Sequence, residues 1–169
     1  MKGMLIRLSD SEVKYCKDLG AKRHFAKHPS FRNKDRFDEF SVESMPHILG
    51  VIGELAYAKL YGKKVDEEIY EVRDDGTDFD GETEVRTVTY AGSGTVDLKV
   101  PQSEYDRKSN VKTYVLAHVN QKKLNEVRLL GEISRDNFDK RKKKMQYGIR
   151  NPVNWIVTET QLDPLKCPI

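Results

Sequence analysis

The run Thr113-Tyr114-Val115-Leu116-Ala117-His118-Val119 constrains this chain more than any other stretch, because it is apolar almost without a break. A strand with one wet face alternates polar and apolar residues. A run that is apolar throughout predicts a central strand covered on both faces. The polar stretch Asn120 to Asn125 then leads into Val127 to Ile133, a returning strand. The rest of the chain must supply a layer for each side of that sheet.

Helices are signalled in three places. Ser9 with Glu12 three residues on has capping-box spacing and predicts a helix through Tyr15 and Leu19 toward His28, with Gly20 as a candidate break and Pro29 as its stop. Ser44 can cap a second helix, with Pro46 in its first turn and Gly62 ending it. Its apolar stripe is Ile48, Leu49, Val51, Ile52, Leu55, Ala56 and Leu60. Glu54 lies well round from that stripe, beside Gly50 and Gly53. Periodicity alone makes Glu54 a surface acid, whereas two glycines that admit a close neighbour let it look into a cleft. Ser134 caps a third helix that runs from Arg135 into Lys140, Arg141, Lys142, Lys143 and Lys144.

Further strands are expected over Glu68–Arg73, Glu82–Tyr90 and Val96–Val100, with a short helix or turn over Gln102–Arg107 and an edge strand or loop anchored by Trp155. Pro29 to Glu43 carries Phe31, Phe37 and Phe40 among basic residues, which suits core anchors or stacking on unpaired bases. His24 and His28 have the spacing of a two-histidine metal site, but their cationic neighbours and the lack of a third ligand favour a basic surface helix. The expected architecture is α/β: a mixed sheet of four to five strands flanked by helices on both faces. At 169 residues it forms one domain, residues 1–169. Cys16 and Cys167 lie near opposite ends without zinc or disulfide spacing, as expected of reduced thiols. No apolar run reaches membrane length and no signal-peptide pattern opens the chain, so a cytoplasmic protein without a membrane partner is expected.

Charge is split along the chain. Lys63 to Asp97 holds four basic and eleven acidic residues, while Pro101 to Arg150 holds thirteen basic and six acidic. Carboxylates that hold a cation beside lysines and arginines that engage phosphates are what a metal-dependent enzyme acting on a polyanion requires. The acidic half contains Thr77-Asp78-Phe79-Asp80-Gly81-Glu82-Thr83-Glu84-Val85-Arg86, two alternating runs about a tight Asp80-Gly81 turn. Paired as a hairpin, the runs aim Asp78 and Glu84 at one point, a site for a hard divalent cation such as Mg²⁺ or Mn²⁺. Arg86, two residues past Glu84, shares its strand face.

Asp78-x5-Glu84-x-Arg86, preceded by a helix carrying Gly53-Glu54, resembles the PD-(D/E)XK nuclease superfamily. The resemblance covers roughly residues 48–133. It divides the chain into an N-terminal helical extension (1–45), a core of restriction-endonuclease type (46–133), and a basic helix with a C-terminal strand or loop (134–169). It implies that Asp78, Glu84 and Glu54 hold Mg²⁺ or Mn²⁺, and that these three with Arg86 form the catalytic set. Arg86 stands where lysine is usual, and Lys99 is a nearby lysine that can compensate or simply be a strand lysine. The resemblance implies metal-dependent phosphodiester hydrolysis, endonucleolytic on DNA, in a phage or restriction-type protein of a bacterial or phage-infected cell. A homodimer would suit a site that cuts one strand. The rival readings are a nucleic-acid-binding module with a weakened site, and an acidic mimic of nucleic acid.

Lys99 and the run Lys140, Arg141, Lys142, Lys143, Lys144 are the expected phosphate contacts. Affinity for nucleic acid should therefore fall steeply with salt, and replacing Lys142, Lys143 and Lys144 by Ala should flatten that dependence. Titrations at rising salt measure it; an unaltered slope would assign the run to plain solvation.

Overall fold

The computed structural model describes residues 3–27, 44–69, 76–89 and 96–168. The elements are β1 (Met4–Arg7), α1 (Asp10–Lys27), α2 (Met45–Tyr61), β2 (Thr83–Thr89), β3 (Asp97–Pro101) and α3 (Gln102–Arg107). They continue with β4 (Thr113–Asn120), β5 (Lys123–Ser134), α4 (Arg135–Arg141), β6 (Lys143–Met145) and β7 (Asn154–Thr158). A mixed four-stranded sheet runs in the order β1-β5-β4-β2, and a small antiparallel sheet runs β3-β7-β6. β2 pairs parallel with β4, Glu84 opposite Tyr114, while β5 is antiparallel to both β4 and β1. Among the described residues no helix is long and apolar enough to cross a membrane.

β4 is buried on both faces, as its composition requires. Val115, Ala117 and Val119 join Val127 and Leu129 of β5 under α2, whose Ile48, Val51, Ile52 and Ala56 are buried against them. Tyr114 and Leu116 point the other way, into a second core. Leu98 and Val100 of β3, Tyr105 of α3, Phe138 of α4 and Val157 of β7 close that core. The second face is thus covered by the small sheet together with the two short helices. Opposite β4, the register slips between Leu116 and Ala117, which face Gly131 and Leu129, leaving Leu130 as an inserted residue. That irregularity lets Leu130 and Ile133, three apart, share the second core.

The capping box of α1 forms reciprocally: Ser9 N–H donates to Glu12 at 2.7 Å and Glu12 N–H to Ser9 Oγ at 3.1 Å. Ser134 Oγ accepts from Asn137 N–H at 3.2 Å, and Gly62 ends α2 in the left-handed region at φ 62°. Several expectations need correction. Ser44 starts α2 through its carbonyl, which accepts from His47 and Ile48, and makes no side-chain cap. α1 continues through Gly20, because glycine there serves helix contact rather than a break. β1 was not foreseen; four residues are too few for a clear pattern. β7 is the middle strand of its sheet, not an edge. Glu68 and Ile69 are not in a strand, and the rest of that predicted strand, the Phe31–Phe40 segment, His28 and the Ala91–Gly94 loop lie outside the described residues.

A Cβ at Gly20 would stand 2.6 Å from Ile48 Cα and 2.7 Å from its nitrogen, so α1 and α2 cross with backbones in contact. A Cβ at Gly50 would meet nothing within 4 Å. Gly20→Ala should therefore destabilise by roughly 1–3 kcal/mol through overpacking, despite alanine's better helix propensity. Gly50→Ala should stabilise by up to about 1 kcal/mol. Chemical denaturation of the two variants checks the contrast, and equal effects would contradict this account of the crossing.

Candidate active site

A cleft of about 380 Å³ is lined by residues of α1, α2, the turn before β2, β2 itself and α3. The turn is built by Asp80 and Gly81, both left-handed at φ 55° and 71°, the pairing a tight hairpin turn demands. It closes on a single bridge, Phe79 to Thr83, rather than on two full strands. Asp78 is fixed just before it, with Oδ2 accepting the Val85 N–H at 2.7 Å. Glu84 follows on β2 and is 5% exposed.

The structure brings Glu54, Asp78, Glu84 and Arg86 to this one cleft. Glu54 is 8% exposed and faces the cleft rather than solvent. The glycine beside it explains why: a Cβ at Gly53 would fall 2.0 Å from Thr87 Oγ1, so α2 lies directly on β2. Arg23 of α1 donates through Nη1 to both Glu54 oxygens, at 3.0 and 3.1 Å, and through Nη2 to the Asp66 carbonyl at 2.5 Å. Arg86 reaches Glu84 at 3.5 Å and is held closely by Glu104 of α3.

The lysine of the cleft is Lys108, at the end of α3. Its Nζ stands 3.2 and 3.4 Å from the Glu84 oxygens and 3.4 Å from Glu104, with its side chain 6% exposed. Lys99 does not reach the cleft: it is exposed on β3, bordering a neighbouring groove with Thr87, Thr89 and Gln121. Of the two readings of Lys99, its place is that of the strand lysine, because β3 belongs to the other sheet. α3 carries the lysine back, and Arg135 of α4 steadies it by donating to the carbonyls of Tyr105 (2.8 Å) and Lys108 (2.9 Å), satisfying the open end of that helix. Arg23, Glu104, Lys108 and Arg135 were all missed. Glu104 and Lys108 did carry a signal, since acid and base four apart after Pro101 share a helix face.

The basic run Lys140 to Lys144 is not one helical face. α4 stops at Arg141, Lys142 is extended, and Lys143 begins β6. Arg141 donates to the Gln161 carbonyl at 2.5 Å. Lys142 pairs with Asp139 and lies 4.7 Å from the Tyr105 ring centroid and 4.8 Å from that of Trp155. Lys140, Lys143 and Lys144 are exposed.

Burial, joined by the charge of Glu54, pushes Asp78 up to about 7; burial, joined by Asp78, pushes Glu84 to about 7. Burial also raises Glu54, partly offset by Arg23. Burial would raise Glu104 too, but Arg86 and Lys108 outweigh it and hold it below the usual range. Among the described residues, Thr77 Oγ1, Thr87 Oγ1 and Arg86 Nε are buried without a hydrogen-bond partner, and all three residues line the cleft. Among the described residues no group of three His, Cys, Asp or Glu side chains is gathered closely enough to hold a metal by itself. Two carboxylates completed by water and phosphate oxygens suffice for Mg²⁺, and Asp78 and Glu84 would supply that donor set rather than a full protein cage.

In comparisons with known proteins, no family model, curated protein or solved structure matches this chain.

The raised carboxylates make stability depend on pH. In the unfolded chain both groups titrate near 4. The folded state therefore holds more protons between about pH 4 and 7, and stability falls as pH rises through that window. Thermal melts in chelator should show wild type losing more stability between pH 5 and 8 than Asp78→Asn, which removes one group and the repulsion on the other. Parallel profiles would contradict the assignment.

Proposed function

We propose that this chain is a metal-dependent nuclease, an endonuclease acting on DNA, built on a core of the PD-(D/E)XK kind. One observation carries the reading: Glu54 from a helix, Asp78 from a hairpin and Glu84 from the following strand converge on one cleft, with the Lys108 ammonium against Glu84. The order of helix, acidic hairpin and strand supports the resemblance, and so does the parallel placing of β2 beside a buried central strand.

Asp78 and Glu84 would hold Mg²⁺ or Mn²⁺, with Glu54 reaching it through water rather than as a direct third ligand. Such an ion polarises the scissile phosphate and lowers the pKa of the attacking water. Lys108 is a compact point donor that can turn from Glu84 to the water or to a phosphate oxygen, and it supplies the charge for which the sequence offered Arg86 or Lys99. Arg86 stays protonated and cannot act as a base. Anchored by Glu104, it can donate to a phosphate oxygen as negative charge builds there. Thr77 and Thr87 border the same space and can donate to phosphate oxygens.

A second reading has its own support. Arg23, Arg86 and Lys108 already pair with three of the cleft acids, Glu54, Glu84 and Glu104, which favours a nucleic-acid-binding module that needs no metal. Assays with Mn²⁺ on plasmid, single-stranded, branched and RNA substrates separate the two. Asp78→Asn and Glu84→Gln should each abolish cleavage while binding survives or improves. Lys108→Ala should cost roughly 10²-fold or more in rate, and Lys99→Ala little. Inactivity of the wild type on all four substrates, with no Mn²⁺ binding, would leave the module reading in its place.

A further inference from the structure

The two most exposed large apolar side chains among the described residues sit two apart, on the loop between β6 and β7: Tyr147 at 68% and Ile149 at 98%. The loop is not held open by accident. Gln146 Nε2 donates to the Asn151 carbonyl at 2.9 Å, Asn151 Nδ2 donates to the Tyr147 carbonyl, and Gly148 takes the left-handed turn position at φ 77°. A turn closed by its own hydrogen bonds presents both side chains to solvent in a defined geometry. Lys143 and Lys144 on β6 and Arg150 on the loop, close to them in the chain, are exposed as well. The loop also has a fixed place relative to the cleft. Gln102 N–H donates to the Val153 carbonyl at 2.9 Å, so the loop rejoins β7 beside the first residue of α3. Lys108 follows α3 at its other end, about 9 Å away at helical rise.

We infer that the β6–β7 hairpin is a nucleic-acid wedge: Ile149 and Tyr147 enter a duplex between base steps, and Lys143, Lys144 and Arg150 hold the adjoining phosphates. Apolar side chains inserted at a base step unstack and kink the duplex, and flanking cations fit the polyanion. Two apolar tips on one turn are too small a surface for stable seating on a membrane, which needs a larger apolar face. The inference rests on the nucleic-acid reading of the cleft for its choice of partner, but not on catalysis.

The test uses the full chain in chelator with a labelled duplex carrying 2-aminopurine, whose emission rises when it unstacks. Wild type should bind and raise the emission. Tyr147→Ser/Ile149→Ser should lose the rise and bind about tenfold more weakly, the scale of one lost base contact. Its melting temperature should stay unchanged, since both side chains are exposed, and Tyr147→Phe/Ile149→Leu should restore both signals. A flat emission with wild type, unaltered binding and emission in the serine variant, or binding to phosphatidylserine vesicles in place of duplex would each overturn the wedge. Cleavage in Mn²⁺ is scored separately. A wild type that unstacks DNA but never cuts it keeps the wedge and loses the nuclease. A serine variant that binds and unstacks as wild type does, and still cuts, does the reverse.

Discussion

β4 has no polar face, and the rest of the molecule follows from that constraint. Each fully buried side chain on it gains about 1.5–3 kcal/mol only if something apolar covers it. α2, laid across one face and backed by α1, is the first cover; the small sheet with α3 and α4 is the second. Covering both faces leaves the strand ends and the outer edge of β2 as the places where charged groups can gather. The cleft lies there, where the start of β2 meets α2 on one side and α3 on the other.

Withdrawing four carboxylates from water is costly, and the surroundings offset the cost unevenly. Glu54 has Arg23, while Glu84 and Glu104 share Lys108 and Arg86. Asp78 accepts one backbone amide and, among the described residues, forms no salt bridge. Pairs of this kind add little net stability, because desolvation cancels much of the attraction. Their effect is positional. Each cation is delivered by a different element, so the cleft forms only when α1, β2 and α3 are all docked. Asp78 is the least compensated acid, the one whose charge a bound cation would relieve most.

The second cover does more than fill space. Arg135 stacks over the Tyr105 ring at 3.9 Å and binds the carbonyls at the end of α3, so α4 fixes the helix that carries Lys108. Lys142 packs near Tyr105 and Trp155, tying the start of β6 to the same helix. A charge run that reads as a binding surface is in part the mortar of this layer. Only Lys140, Lys143 and Lys144 of it remain exposed, beside the protruding β6–β7 loop.

Periodicity and turn chemistry reach a long way in this chain. The central strand, its return, the helix caps at Ser9 and Ser134, the stop at Gly62 and the Asp80-Gly81 turn are local matters, each decided by a few adjacent residues. The acidic hairpin was legible for the same reason, since Asp78 and Glu84 lie six residues apart across one turn. Glu54 was legible only through the glycine beside it. Tertiary structure decided the remainder. Nothing local says that Lys99 belongs to the outer sheet while Lys108 folds back onto Glu84, or that Arg23 crosses to Glu54. Those pairings join residues 24 to 31 positions apart, brought together by the burial of β4 and the docking of the layers over it.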